Sequence, residues 1–328
     1  MRRAMSLVVT LVTLTALAAC TSGGNSTPNE PGNNGNIHTI TSAKLPLVAG
    51  PAVTPSGGGF ATDLSGNAIV VKDPSRVVAL TAGGTELLFQ LGLESVIVGR
   101  DLTDNQPELQ KFPVVTDTHS ANLEKILSVS PTLVIVDANT RPISVLEDLA
   151  NFNIQVVLVP VATDFETAAS RILELGEIFN LQIQAKSLSE SLEFPFENKS
   201  GIKVAFLYLR GQSAIYLLGG KGSGADGMIS AAGAIDVGAA ANLGSFTPLT
   251  PEFLAELNPD VLLVMEAGLK SVGGADGLFA IPGVAQTNAA KTRALVVVED
   301  SLLLSYAGRT ADLTAKLNSI FAEMASDD

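Results

Sequence analysis

Two side chains able to coordinate iron stand in this sequence, and one of them has an arginine beside it. His119 lies in Val114-Val115-Thr116-Asp117-Thr118-His119-Ser120-Ala121-Asn122, between an apolar run and a helix start that Ser120 or Asn122 can cap. Tyr208-Leu209-Arg210 closes a run in which Ile202, Val204, Phe206 and Tyr208 alternate along one strand face. On such a strand Arg210 points to the same side as Tyr208. A guanidinium in that place favours the charged phenolate over the phenol. Imidazole and phenolate are both axial ligands of ferric haem iron. Taken singly, each residue has a plainer reading: His119 as a surface histidine, Tyr208 as the last core residue of its strand. Tyr216, on the following strand, is a rival ligand, but it has no arginine two positions on.

The elements that must position these groups alternate between strand and helix. Apolar runs at Arg76–Leu80, Ser95–Val98, Thr132–Val136 and Ile154–Val159 read as strands, the last two continuous enough to be buried in a parallel sheet. Helical patterns fall at Glu86–Gly92, 122–129 and 142–151, which makes one α/β lobe. From Asp164 to about Leu192, the positions Phe165, Ala168, Ala169, Ile172, Leu175 and Phe179 recur at helical spacing, so one long helix is expected, stopped by Pro195. A second α/β series follows, with strands at 202–208, 214–218, 260–264 and 294–298 and helices from about 225, at 250–257 and at 309–325. Loops at the strand ends of such lobes line ligand clefts. That places His119 and Tyr208 on facing walls. Phe246 and Tyr306 are aromatic candidates for packing on a porphyrin, each also readable as an ordinary core residue near a strand end.

Other chemistries fail on their own requirements. Gly222-Ser223-Gly224-Ala225-Asp226-Gly227 has the spacing of a dinucleotide loop, but no acid lies between Asp236 and Glu252 where the ribose partner is needed. Gly220-Lys221 is followed by Gly222 rather than Ser or Thr, so it is not a phosphate loop. These glycines read as a tight turn into a helix. No G-x-S-x-G elbow occurs, and a zinc or manganese site needs more nitrogen, oxygen and sulfur ligands than one histidine in the folded body supplies. A formal net charge of −13 argues against nucleic acid as a partner. The chain reads as a binder, not an enzyme.

The N-terminus carries an address. Arg2 and Arg3 precede an apolar run from Leu7 to Leu17, which ends in Leu17-Ala18-Ala19-Cys20 before Thr21-Ser22-Gly23-Gly24. The run is shorter than the roughly 20 residues of a membrane span. Cys20, the only cysteine, occupies the position that lipoprotein processing modifies, so residues 1–20 are expected to be a signal peptide and Cys20 the lipidation site. The protein would then work outside the cytoplasmic membrane, held to its outer face by the lipid alone. Residues 21–66, rich in Ser, Thr, Asn, Pro and Gly, read as a flexible tether in which His38 is a solvated histidine. The N-terminal lobe is then 67–160, the linking helix 161–195 and the C-terminal lobe 196–328.

Two α/β, Rossmann-like lobes joined by one long helix, behind a lipid anchor, resemble the class III substrate-binding proteins of ABC importers for siderophores, cobalamin and haem. Within that class the chain is similar to the haem-binding lipoproteins of Gram-positive haem importers, the HmuT-like group. The similarity rests on Thr118-His119-Ser120, Pro131–Ile135, Val204–Gly211, Gly222–Asp226, Phe246–Glu252 and Gly308-Arg309-Thr310. It implies His119 and Tyr208 as axial ligands, Arg210 as support for the tyrosinate, and haem b as a transported ligand. It also implies an ABC haem permease with its cytoplasmic ATPase as partner, and free haem or a haem-donor protein as source. Class III proteins present one surface acid per lobe to permease arginines, which makes Glu86 and Asp226 docking candidates, each also readable as an ordinary helix-start acid. The alternatives are a ferric-siderophore or cobalamin binder of the same class, and an extracytoplasmic haem oxidoreductase or haem-storage protein.

Overall fold

The computed structural model describes residues 36–117, 120–192 and 200–326. The continuous apolar runs form the central strands of two sheets, as their lack of alternation requires of strands covered on both faces. In the N-terminal sheet the order is Ala68–Val70, Phe60–Thr62, Gln155–Leu158, Leu133–Val136, Val77–Ala79 and Ile97–Arg100. The last four run parallel, and Phe60–Thr62 is antiparallel to both of its neighbours. In the C-terminal sheet the order is Ile37–Ile40, Leu295–Val298, Val261–Met265, Lys203–Arg210, Ile215–Gly219 and Phe246–Pro248. Its first four strands are parallel, and Ile215–Gly219 is antiparallel to both of its neighbours. Leu133–Val136, Val261–Met265 and Leu295–Val298 are buried at every position.

The expected tether over 21–66 is corrected from residue 36 onward. Ile37–Ile40 pairs in parallel with Leu295–Val298 at the edge of the C-terminal sheet, and His38 is a half-buried strand residue opposite Val296. The chain then crosses to the other lobe. The Ser42 amide and hydroxyl bond Glu299, and the Gly50 and Val53 amides bond the carbonyls of Phe89 and Gly92. Phe60–Thr62 and Ala68–Val70 follow as a hairpin on the N-terminal sheet. The composition is that of a linker, but a short polar segment can be ordered by backbone pairing to a sheet edge that already exists. The stretch 36–71 is therefore a strap across both lobes.

The single linking helix is also corrected. A helix runs Phe165–Phe179 and a second Gln182–Glu190, broken where Asn180 takes a left-handed conformation (φ 57°). Asn tolerates that conformation, which ends helices. A Cβ at Gly176 would lie 2.5 Å from the Ala185 methyl carbon, so only glycine lets the second helix fold back this closely. The first helix is held at its start by Asp164, whose carboxylate accepts the Thr167 amide at 2.8 Å in a capping box. Its apolar stripe Ala168, Ile172, Leu175 and Phe179 is buried. Pro195 lies outside the described residues, as does Cys20 with the signal. Among the described residues no helix is long and apolar enough to cross a membrane.

Candidate ligand-binding cleft

The C-terminal ends of the parallel strands of the N-terminal lobe open on a cleft of about 560 Å³, and loops of the C-terminal lobe form its other wall. Leu80 and Ala82, Asp101 and Thr103, Asp137 and Asn139 follow three strands of the N-terminal sheet, and Ser223, Phe246 and Leu304 come from the other lobe. A side pocket of about 210 Å³ shares Ala82, Thr103 and Leu304 with the cleft and adds Tyr208, Arg210 and Met265.

Tyr208 and Tyr216 are separated by the pleat. Tyr208 pairs with Leu217 and Leu209 with Tyr216 across the antiparallel ladder, so the two rings leave opposite faces of the sheet. Tyr208 is half-buried on the wall of the side pocket, while Tyr216, also half-buried, packs against the core on the far face. The Arg210 guanidinium carbon lies 4.4 Å from the centre of the Tyr208 ring, a cation–π contact, and its Nη1 donates to the Leu209 carbonyl at 2.8 Å. Phe246 meets the same ring edge-on at 5.5 Å and opens onto the cleft. His119 lies outside the described residues. The strands flanking it pair through Asp117 and Ser120, and Thr116, Ser120 and Ala121 line the cleft.

Two expected roles change. Tyr306 is 0% exposed, donates its hydroxyl to the Gly224 carbonyl at 2.5 Å and meets Phe165 edge-on at 5.7 Å. Burial pushes its phenol up, and it is a core residue that presents nothing to a porphyrin. Glu86 is no surface acid. It is wholly buried, paired with Arg309 Nε at 3.0 Å and Nη2 at 2.6 Å, and accepts from Gln106 Nε2 at 2.8 Å. The helix Gly84–Gln90 turns its first residues inward against the other lobe, which a helix-start acid read from sequence does not reveal. Asp226 uses both carboxylate oxygens on the Gly222 and Gly224 amides, tightening the loop that positive-φ Gly222 and Gly224 (84° and 88°) make possible. This is the turn read from those glycines.

Sequence reasoning passed over the charged groups beneath the cleft. Arg171, 2% exposed, donates to the carbonyls of Ala82 in one lobe and Ser305 and Tyr306 in the other, at 3.1, 2.6 and 2.9 Å. It sat in the helical pattern as a polar position, with no local signal of burial. Asp104 accepts the Gly83 and Thr85 amides at 2.8 Å each and so caps from outside the helix Gly84–Gln90, whose own N-cap is a glycine. Burial pushes its carboxyl up to about 7 against those amide bonds. The unfolded chain releases this proton near the ordinary aspartate value of 3.8, whereas the folded chain holds it to about 7. Asp104 therefore favours folding most at low pH, and its contribution is lost as pH rises through about 7. Denaturant unfolding at pH 5 and pH 8 should show this loss, and Asp104→Asn should shrink the difference. An unchanged difference in the variant would assign it to other groups.

The periplasmic binding protein family model matches residues 77–302, and the chain belongs to that family. Such proteins are substrate-binding components that work with the permease and ATPase of an ABC transporter. Among relatives, the uncharacterised ABC transporter substrate-binding lipoprotein YvrC of Bacillus subtilis (strain 168) is 27% identical over 228 residues, 66% of this chain and 71% of its own. The vitamin B12-binding protein of Pectobacterium carotovorum subsp. carotovorum (strain PC1) is 34% identical over 98 residues, 30% of this chain and 36% of its own, so the match spans about a third of that relative. Among solved structures, the haem-binding protein HmuT superposes with a TM-score of 0.75 at 28% identity, covering 87% of this chain and 97% of that one. The periplasmic haem-binding protein RhuT from Roseiflexus sp. RS-1, in apo form, gives 0.71 at 31% identity, with 77% and 100% covered. The fold is that of class III binding proteins.

Proposed function

We propose that this protein is an extracytoplasmic lipoprotein that captures haem and delivers it to an ABC permease, with Tyr208 and His119 as iron ligands from opposite lobes and Cys20 as the lipid anchor. The observation that carries this reading is the Arg210 guanidinium 4.4 Å from the Tyr208 ring on the wall of the side pocket, a cation beside a residue able to bind ferric iron as phenolate. The likeness to HmuT and RhuT, both haem-binding proteins, supports it. Haem is here the cargo, and no reaction is assigned to the cleft. Titrating the signal-less protein with ferric haemin should give a saturable, equimolar Soret shift with a tyrosinate charge-transfer band. His119→Ala should keep haem bound with an altered spectrum. Saturable binding of cyanocobalamin with no response to haemin would replace this reading with the corrinoid one, which the vitamin B12-binding relatives keep in view.

A further inference from the structure

Three arginines line the cleft and its side pocket among the described residues, and two of them are already engaged. Arg171 is buried on three carbonyls, and Arg210 lies on the Tyr208 ring. Arg141 differs. It is exposed on the cleft wall, and only its Nη1 is held, by the carbonyls of Ala138 at 2.8 Å and Thr140 at 2.9 Å. No acidic side chain pairs with it among the described residues, and nothing there takes Nε or Nη2. The backbone beneath it is fixed, because the Arg141 carbonyl accepts the Ala121 amide at 2.6 Å.

The acids on the same wall are turned to their own loops. One Asp137 oxygen accepts from the Asn139 amide and the Thr140 hydroxyl, and one Asp101 oxygen from the amide and hydroxyl of Thr103. Burial also raises the Asp137 carboxyl above its ordinary value. A guanidinium anchored by one nitrogen, with Nε and Nη2 on one edge taken by no described residue, offers the two parallel donors that a carboxylate matches.

We propose that Arg141 is a specificity residue that binds a carboxylate of the ligand, so the cleft selects a tetrapyrrole with free acid side chains over one whose side chains are amides or esters. This rests on the haem reading above and narrows it. Fixing the cation before the ligand arrives reduces the ordering entropy that binding would otherwise require.

Ferric haemin and haemin dimethyl ester separate the two ideas, since the ester keeps the iron and the ring and lacks only the acids. The wild type should bind haemin about tenfold or more tightly than the ester, as for loss of a charge-assisted bond. Arg141→Ala should bring the two within about twofold, with the Soret band of the haemin complex and the melting temperature unchanged. Arg141→Lys, which keeps the charge and loses the fork, should fall between. If Arg141→Ala retains the wild-type preference, Arg141 is not the carboxylate partner. If the wild type responds to neither compound, the haem reading itself fails and this proposal with it.

Discussion

Arg309→Ala is expected to destabilise the protein by about 3–5 kcal/mol in denaturant unfolding, the loss seen when one partner of a buried ion pair is removed. The two side chains are 3% and 0% exposed, so water reaches neither. Without the guanidinium, the Glu86 carboxylate keeps only Gln106 as a side-chain donor. The Ser42 hydroxyl and the Leu45 carbonyl, which Arg309 Nη1 meets at 3.2 and 3.1 Å, lose a donor as well. Adding Glu86→Gln should recover part of the loss, because a neutral amide leaves no uncompensated charge. The pair joins the lobes, with Glu86 on the first helix of one and Arg309 at the start of the last helix, Thr310–Ser326, of the other. A loss of about 1 kcal/mol or less would place this pair with exposed ones and undo the argument.

Tyr208→Phe is expected to abolish the tyrosinate charge-transfer band of the haemin complex and weaken ferric binding by about tenfold or more, since an iron ligand is lost while the ring remains. Tyr216→Phe should leave spectrum and affinity unchanged, because that ring packs on the opposite face of the sheet. Arg210→Ala keeps the ligand but removes the cation 4.4 Å from its ring. That variant should bind ferric haemin more weakly than the wild type while keeping the tyrosinate charge-transfer band, because the ligand stays and its neighbouring cation is lost. If Tyr208→Phe keeps the wild-type spectrum and Tyr216→Phe changes it, the assignment reverses.

What could be read from the sequence was whatever depends on neighbours a few positions apart. The runs Thr132–Val136 and Ile154–Val159 announced parallel strands, and Tyr208 with Arg210 two residues on announced a shared face. Glu86 was misread because its partner lies 223 positions away, and first-turn acids look alike whether they meet solvent or a buried arginine. Tyr306 was misread for the same reason: its hydroxyl answers a carbonyl 82 residues earlier. The strand Ile37–Ile40 hid in linker-like composition because its order comes from an edge that only the folded C-terminal sheet presents. The break at Asn180 was the one local feature overlooked, for Asn without a following proline or glycine is a weak stop signal.

The strap has a mechanical consequence. A pull on the chain ahead of Asn36 enters the folded body along Ile37–Ile40, which lies parallel to Leu295–Val298 from Ile37 opposite Leu295 to Ile40 opposite Val298. Tension directed along that strand loads its backbone bonds together in shear instead of opening them one after another. Beyond it, the Ser42 contacts with Glu299 and Arg309 must yield before strain reaches the N-terminal lobe. Traction at this end thus meets the outer edge of one sheet before it reaches the strands that carry Tyr208.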